Sequence, residues 1–385
     1  MFHTTLLFQS LKSVDFPIVS SHLASLSKEH SARHYTDPDF NDLHIYELYK
    51  EQGIIIMLRR TRISRGDNTQ NITTGDSSEG IYYHAIEIRL NPKVLIKKNE
   101  YVQVAKHSDY KAICQRFKAV SQPLQENYEI RPGLCCYWFN SINSYQIKRI
   151  DYCVNITTEM HATYIELIRR ADVPPHFHFV KVIDKKTDKE ILCKNSFYVQ
   201  TKNHSVGINF YNKEYQMHKE FPQYENLNDA KNIIRLEIQC MTGKTNSLKQ
   251  KYGWRYRDLI NFIDDDLARK TIYSYYEKSV GFEDYYTLEE AKHRIQLCNY
   301  KKKTIEDMTE VLELVNRKRS IHQARLAYNE DLQDPKELKK FNSIVKKIRK
   351  SDINPVTIPV NWGYKHIPNL VVEMDKELMP KSEFA

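Results

Sequence analysis

The apolar positions of the chain follow two different periods, one in the first 240 residues and another after them. Up to residue 240 they alternate or form short runs rich in Ile, Val, Tyr and Phe, which is typical of β-strands. The predicted strands are 4–8, 53–59, 81–90, 145–156, 194–201, 205–212 and 232–241. Helices are predicted over 108–121 and 158–171, and a polar, turn-rich loop over 65–80.

After Cys240 the spacing of apolar residues becomes helical. The predicted helices are 254–280, 287–298, 304–328 and 335–350, most of them with acids early and Lys or Arg late. An extended tail follows around residues 355–368. The pattern therefore predicts an α+β protein, with an antiparallel-sheet domain and flanking helices over 1–250 and a mainly helical, basic domain over 251–385. The boundary is expected near residues 245–255.

Four of the predicted strands have one polar and one apolar face, because side chains of the same parity share a face of a strand. Three of these polar faces place an acid beside an arginine: Glu87 with Arg89, Asp151 with Arg149, and Glu237 with Arg235. The fourth presents Tyr211 and, if the strand continues that far, Lys213. An ordinary antiparallel sheet with one solvated face explains any one of these strands taken alone.

The three acids matter together if their strands are neighbours. Crowded carboxylates repel one another unless a cation lies among them, and a divalent metal with hard oxygen ligands is the natural occupant. The repulsion predicts that removing one carboxylate stabilises the metal-free fold. With a tyrosine as nucleophile and a lysine as cation, the pattern predicts a metal-dependent phosphoryl-transfer site whose ligands are Glu87, Asp151 and Glu237.

Composition narrows the class of protein. The 385 residues include 58 Lys+Arg and 49 Asp+Glu, and the net charge of +9 favours a polyanionic partner. Only 10 glycines occur, without a phosphate-binding glycine motif, which argues against a P-loop ATPase or a dinucleotide enzyme. The 7 cysteines are scattered and form no Cys-x-x-Cys pair, which indicates a reducing compartment.

Two further features concern the location of the protein in the cell. No apolar run approaches the roughly 20 residues that a membrane helix needs. The opening residues 1–8 lack the basic region of a signal peptide. The sequence therefore predicts a soluble, cytoplasmic protein with no membrane partner.

Basic side chains form four runs in the helical half, at 301–303, 317–319, 339–340 and 346–350. A solvated helix end explains any single run equally well, since cations favour helix C-termini. The four together favour contact with DNA phosphates. The predicted DNA-binding residues are Arg89, Arg149 and Arg235 on the sheet, and Lys346, Lys347, Arg349 and Lys350 in the last run.

Taken in order, these motifs resemble the replication initiators of filamentous phages, the gene II/X family of rolling-circle nicking enzymes, which is related to the HUH/Rep superfamily. The blocks that carry the resemblance are His84 to Leu95, Ile147 to Asp151, Phe210 to Met217, Ile234 to Ile238 and Leu248 to Trp254. They follow one another with similar spacing over about residues 80–255. The resemblance implies a Rep-like nicking domain in the first part of the chain.

The resemblance also implies a mechanism. Tyr211 attacks a phosphodiester at a phage or plasmid origin, which forms a 5′-phosphotyrosyl link and frees a 3′-OH primer, and the strand is later rejoined. Mg²⁺ or Mn²⁺ activates the phosphate, and Lys213 lowers the pKa of Tyr211 or stabilises the pentacovalent phosphorus. The implied partners are origin DNA, single-stranded at the nick and duplex nearby, and the helicase and replication proteins of the host.

Several alternatives remain open at this stage. His176 and His178 have the His-hydrophobe-His form of HUH metal ligands, although paired histidines on a strand edge also arise by chance. If the chain turns helical at Tyr211, Tyr215 lies about one turn further on, as a second nucleophile or a packing residue. A plasmid mobilisation relaxase would use the same chemistry, and a non-catalytic DNA-binding regulator would not use it at all.

Overall fold

A computed structural model describes residues 1–37, 40–62, 82–126, 139, 141–180, 182–183, 190–191, 194–328 and 334–379. The loop predicted over 65–80 lies outside these residues. Within the described part of the chain, no helix is both long enough and apolar enough to cross a membrane.

The structure contains the strands β1 (Phe2–Leu11), β2 (His34–Asp37), β3 (Phe40–Tyr49), β4 (Ile54–Arg62), β5 (Tyr82–Leu90), β6 (Gln146–Thr157), β7 (Phe177–Phe179), β8 (Val182–Ile183), β9 (Glu190–Ile191), β10 (Ser196–Thr201), β11 (Val206–Asn212), β12 (Ile233–Cys240), β13 (Tyr285–Tyr286) and β14 (His366–Ile367). Its α-helices are α1 (Phe16–Glu29), α2 (Pro92–Ile96), α3 (Tyr110–Glu126), α4 (His161–Arg169), α5 (Lys213–Glu220), α6 (Thr242–Lys251), α7 (Leu259–Phe262), α8 (Asp265–Ser279), α9 (Leu288–Gln296), α10 (Lys302–Lys318), α11 (Ile321–Tyr328), α12 (Pro335–Lys350) and α13 (Val371–Leu378).

The fold is α+β, with long antiparallel strands up to residue 240 and mainly helices after it, as the apolar periods predicted. The chain forms two compact units. The first unit consists of Met1–Cys153 and Gln239–Ala268, and the second of Val154–Ile238 and Arg269–Ala385. These units differ from the predicted division near 245–255, because the strands of 154–238 fold with the C-terminal helices. The separate functions assigned to 1–250 and 251–385 stay a prediction.

The first unit contains strands in the order β2-β3-β4-β5-β1-β6, and each neighbouring pair is antiparallel. Apolar residues on one face of these strands are buried, including Ile56 and Ile88, which pair with each other. Helix α1 lies on this face, where the Phe16 ring contacts that of His84 at a centroid distance of 4.8 Å. Glu87 points to the opposite face, as its parity predicted.

The second unit contains strands in the order β12-β11-β10-β7, of which β11–β10 and β10–β7 are antiparallel pairs. Phe197 and Phe210 lie opposite each other on one face and are buried. Helix α4 packs against β10 and β11, and the Tyr276 ring of α8 contacts Phe210 at a centroid distance of 6.0 Å. Tyr211 therefore lies on the other face of β11.

Two predicted helices are each divided into two. The segment 254–280 contains α7 and α8, and Asp264 begins α8 by accepting a hydrogen bond from the Leu267 amide at 2.7 Å. The segment 304–328 contains α10 and α11, which are separated at Arg319, a residue with a left-handed φ of 53°. Each break contains a residue that caps the following helix, Asp264 before α8 and Ser320 before α11. The spacing of apolar residues does not indicate where such a cap starts a new helix.

Candidate active site

The central feature of the second unit is a hydrogen bond between a tyrosine and a buried carboxylate. The Tyr211 hydroxyl donates to Glu237 Oε1 at 2.7 Å. Tyr211 is 9% exposed and Glu237 is 6% exposed. They lie on the neighbouring strands β11 and β12, so the sheet fixes both backbones. Tyr211 and Glu237 therefore lie on the same face of the sheet, and their roles stay a prediction.

A phenol in this arrangement has the geometry of a nucleophile with its proton acceptor. A tyrosine is a weak nucleophile at neutral pH, and an adjacent base within hydrogen-bond reach activates it. Other tyrosines have structural roles. Burial raises the pKa of Tyr152 and Tyr276 well above the ordinary value, and these hydroxyls donate to the Phe262 carbonyl and to Asn369.

A second tyrosine–carboxylate pair offers a comparison inside the same unit. The Tyr273 hydroxyl of α8 donates to Asp375 of α13, and burial followed by this carboxylate raises the pKa of Tyr273. This pair joins two helices, whereas the Tyr211–Glu237 pair lies within a sheet. A hydrogen bond to a carboxylate is therefore not by itself a sign of catalysis, and Tyr273 is a matched control for Tyr211.

Lys213 begins a helix and does not continue the strand. Strand β11 ends at Asn212, whose side-chain oxygen accepts a hydrogen bond from the Tyr215 amide at 2.9 Å and so caps α5. The Lys213 side chain is buried, and its ammonium donates to Gln216 Oε1 at 2.7 Å. The predicted placement of Lys213 depended on a continuing strand, and the asparagine cap prevents it.

Tyr215 lies in α5 and is 51% exposed, so it does not have the packing role that one interpretation gave it. Arg235 is completely buried and donates from Nε to Asn155 Oδ1 at 2.7 Å. With no exposed surface, Arg235 stabilises β12 in this arrangement. Its predicted contact with DNA stays a prediction.

In the first unit, Glu87 is neutralised by two cations. Its Oε1 atom accepts a hydrogen bond from Arg59 Nε at 2.9 Å and another from the Lys148 ammonium. Glu87 is fully buried, while the two cations are partly exposed. Its Oε2 atom is buried and has no hydrogen-bond partner among the described residues. Strand alternation did not single out Arg59 or Lys148 as partners of Glu87, although the parity of Arg59 on strand 53–59 places it on the same face.

Asp151 is also neutralised, by the arginine two residues before it on β6. Arg149 donates from Nε and Nη2 to the two carboxylate oxygens, each at 2.7 Å. This bidentate pair has the strongest geometry that arginine forms with a carboxylate. Arg149 is predicted to bind DNA, but its guanidinium is engaged with Asp151, whereas Arg89 is exposed.

These partners answer the question that the crowded acids posed. Glu87 and Asp151 are each paired with a guanidinium or ammonium group of the first unit. Among the residues that the structure describes, no group of three or more His, Cys, Asp and Glu is arranged to hold a metal. The role of Glu87, Asp151 and Glu237 as metal ligands stays a prediction.

Because of these ion pairs, removing Glu87 is expected to destabilise the fold, which is the opposite of the effect expected from crowded carboxylates. Glu87→Ala should lower the free energy of unfolding by about 2 kcal/mol, because Arg59 and Lys148 lose their charged hydrogen-bond acceptor. Urea unfolding measures the change. Glu51→Ala is the control in the same unit, since Glu51 pairs with Lys98 at an exposed site, and its midpoint should not change. A more stable Glu87→Ala protein would restore the interpretation based on crowded, repelling acids.

His176 and His178 are not near Tyr211. Both are exposed, at and just before strand β7, and His176 has a left-handed φ of 68°. The register pairs His178 with Gln200 and Gln200 with Gly207, four residues from Tyr211. The separation is therefore about 13 Å along the strand and about 10 Å across two strands. Their role as metal ligands stays a prediction without support from this placement.

The last basic run belongs to α12, and its four cations differ in their surroundings. Lys346 and Lys350 are exposed and Lys347 is partly exposed. Arg349 instead donates from Nη1 to the carbonyl of Glu277 at 3.1 Å, and its guanidinium packs beside Gly281. Arg349 therefore stabilises the second unit. The two exposed lysines are the members of the run best placed to meet a phosphate.

The exposed lysines give a prediction about binding to duplex DNA. Lys346→Gln combined with Lys350→Gln should reduce the slope of log affinity against log salt by up to about 1.8, because each lost phosphate contact contributes about 0.9. Fluorescence anisotropy over a series of salt concentrations measures the slope. Lys202→Gln with Lys231→Gln is a control of equal charge at exposed sites outside the basic runs. Equal slopes for the two double variants would mean that Lys346 and Lys350 of α12 face solvent and make no contact with DNA phosphates.

Comparison with known proteins adds little to this geometry. No protein-family profile matches the chain, and no curated protein matches it. A solved structure of a rolling circle replication initiator protein from Geobacillus stearothermophilus is similar over 72% of this chain and 84% of that chain, with a TM-score of 0.31 and 10% identity. At that TM-score the likeness supports no conclusion about the site.

Proposed function

We propose that the protein is a DNA nicking and joining enzyme that initiates rolling-circle replication, with Tyr211 as its nucleophile. The observation that carries the proposal is the position of Tyr211 within the sheet, where its hydroxyl donates at 2.7 Å to Glu237 of the neighbouring strand. The order of sequence motifs that resembles the filamentous-phage initiators supports it independently. The positive net charge fits a nucleic acid substrate.

The proposed reaction is a transesterification in two directions. In the first, the Tyr211 oxygen attacks phosphorus while its proton passes to Glu237 Oε1, and the bond from phosphorus to the 3′ oxygen breaks. The leaving oxygen takes a proton from water and becomes the 3′-OH primer, and the 5′ phosphate stays on the tyrosine. In the second, a 3′-OH attacks the phosphotyrosine and gives its proton to hydroxide or water. The bond from phosphorus to the tyrosine oxygen breaks, and Glu237 returns its proton to that oxygen.

Glu237 therefore acts as the proton acceptor in this proposal, a different role from the metal ligand predicted from sequence. The buried ammonium of Lys213, two residues after Tyr211, is the candidate for offsetting the charge that develops on the phosphate oxygens. Origin DNA is the proposed substrate, unpaired at the nick. The host helicase and replication proteins are the proposed partners that follow nicking.

A metal requirement is a separate part of the proposal. Mg²⁺ or Mn²⁺ would make phosphorus more electrophilic, but none of the proton and bond changes above depends on a metal held by these carboxylates. The resemblance to the gene II/X family is what supports it. Nicking that survives EDTA would remove the metal from the proposal and leave the role of Tyr211 intact.

The test is incubation of the protein with a supercoiled plasmid that carries the origin of the element encoding it, in Mg²⁺ and in EDTA. The proposal predicts an open-circular product with protein attached to a 5′ end. A mobility shift without any nick would instead favour the non-catalytic regulator. The low exposure of Tyr211 is the observation that favours this second candidate, since a phosphate must reach its hydroxyl. A relaxase has the same chemistry, and the neighbouring genes or the origin sequence distinguish it.

A further inference from the structure

The loop between α6 and α7 in the first unit exposes aromatic rings. Tyr252 is 42% exposed and Tyr256 is 47% exposed, although burial of an aromatic ring usually stabilises a protein. Trp254, between them, is partly exposed. None of these side chains takes part in the nicking reaction proposed above. We call Tyr252, Trp254 and Tyr256 the aromatic platform.

Trp254 of the aromatic platform is held by contacts with Phe262 and with the backbone of Lys249. The Trp254 ring meets the buried Phe262 ring edge to face at a centroid distance of 4.9 Å, and the Trp254 amide donates to the Lys249 carbonyl at 3.0 Å. The Tyr252 ring stacks on Trp254 at a centroid distance of 5.1 Å and an interplanar angle of 16°. Tyr252 and Trp254 therefore hold a nearly parallel arrangement, which leaves little conformational entropy to lose on binding.

The side chains around the aromatic platform carry positive charge, which indicates a ligand with negative charge. Residues 241–257 include five cations and no acid: Lys244, Lys249, Lys251, Arg255 and Arg257. The Lys251 ammonium lies 5.4 Å from the centre of the Tyr252 ring, and the Arg255 guanidinium lies 5.1 Å from the centre of the Tyr256 ring. Cations beside partly exposed aromatic rings suit a ligand that combines flat rings with negative charge. A purely apolar partner would leave this charge unmatched.

We propose that the aromatic platform binds unpaired bases of single-stranded DNA by stacking, while the surrounding lysines and arginines contact its phosphates. Base stacking on aromatic side chains tolerates any sequence, because every base has a flat face. The inference deepens the proposed function, because it takes the same DNA as ligand. Its test does not require nicking, so the two proposals can fail separately.

The test measures binding of the full chain to a fluorescein-labelled single-stranded oligonucleotide by anisotropy. Tyr252→Ala combined with Tyr256→Ala should weaken binding about 10-fold or more, because each stacked base contributes a substantial part of the affinity. The salt dependence should not change, since no cation is removed. Tyr364→Ala is the control, a tyrosine that is 47% exposed elsewhere on the protein.

A second probe separates stacking from phosphate contact. The same oligonucleotide with abasic sites keeps every phosphate but lacks bases, and the native protein should bind it as weakly as the double variant binds the intact strand. Unchanged affinity of the double variant, or equal affinity of the native protein for both strands, would overturn the inference. The measurement contains no nicking step, so its outcome does not depend on the role of Tyr211.

Discussion

Tyr211→Phe is expected to abolish nicking and covalent attachment to DNA while leaving binding of single-stranded origin DNA within a few fold of the native protein. The substitution removes the oxygen that would bond to phosphorus and keeps the ring in place beside β12. It also removes the hydrogen bond to Glu237, so the unfolding midpoint should fall modestly. Denaturing electrophoresis after incubation with a labelled origin strand measures the covalent adduct.

Two further tyrosine-to-phenylalanine variants serve as controls for this result. Tyr273→Phe also removes a tyrosine hydrogen bond to a carboxylate in the second unit, and it should form the adduct normally. Tyr215→Phe removes the half-exposed hydroxyl of α5 and should at most impair rejoining. An adduct that persists in Tyr211→Phe but disappears in Tyr215→Phe would transfer the nucleophile to α5.

A chain truncated after residue 250 is expected not to fold. In the first unit it loses the completely buried Phe262, whose carbonyl accepts a hydrogen bond from Tyr152 at 2.9 Å. In the second unit it loses Tyr276, which packs on Phe210. Each missing buried aromatic costs about 3–5 kcal/mol, and together with the other missing helices this exceeds a typical stability of about 5–15 kcal/mol. Circular dichroism and a urea titration should show no cooperative transition.

The full chain, unfolded in the same titration, provides the control. Unlike the fragment, it should show a cooperative transition. A soluble 1–250 fragment that unfolds cooperatively and nicks DNA would show that the predicted domain boundary is a real one, and would contradict the packing argument.

The strands were the most predictable part of the fold. Strands β5, β6, β10, β11 and β12 begin and end within two residues of the predicted bounds, because runs rich in β-branched and aromatic residues have a strong and local preference for strands. Helix α12 coincides with its prediction, since Pro335 starts it and one apolar face, including Phe341 and Ile344, is buried throughout.

Other elements depended on information that periodicity lacks. Strand β3 was missed because Asp42 and Glu47 interrupt its apolar positions, and it is stabilised by pairing with β2 and β4. The two compact units could not be predicted because each combines distant segments of the chain. Such contacts depend on the complete tertiary arrangement and leave no local signal.

Strand alternation anticipated one contact of the candidate site and missed others. It assigned Tyr211 and Glu237 to polar strand faces, and in the structure the two side chains share a hydrogen bond. It also placed three acids on polar faces, each beside an arginine, and the metal inferred from their crowding stays a prediction. In the structure Arg59 and Lys148 pair with Glu87, and Lys148 belongs to a strand two places away from β5. Which side chains meet across strands depends on the register of each strand pair. The register between β1 and β6 is irregular, and the sequence pattern does not reveal such an irregularity.

The most direct measurement of the central claim is mass spectrometry of the peptide that carries a nucleotide after nicking. The protein is incubated with its origin DNA, the DNA is trimmed with nucleases, and the digested protein is sequenced. The account predicts a phosphonucleotide on Tyr211, in the peptide that ends β11 and begins α5. A nucleotide on Tyr215 or on any other residue, or a nick without a covalent adduct, would contradict it.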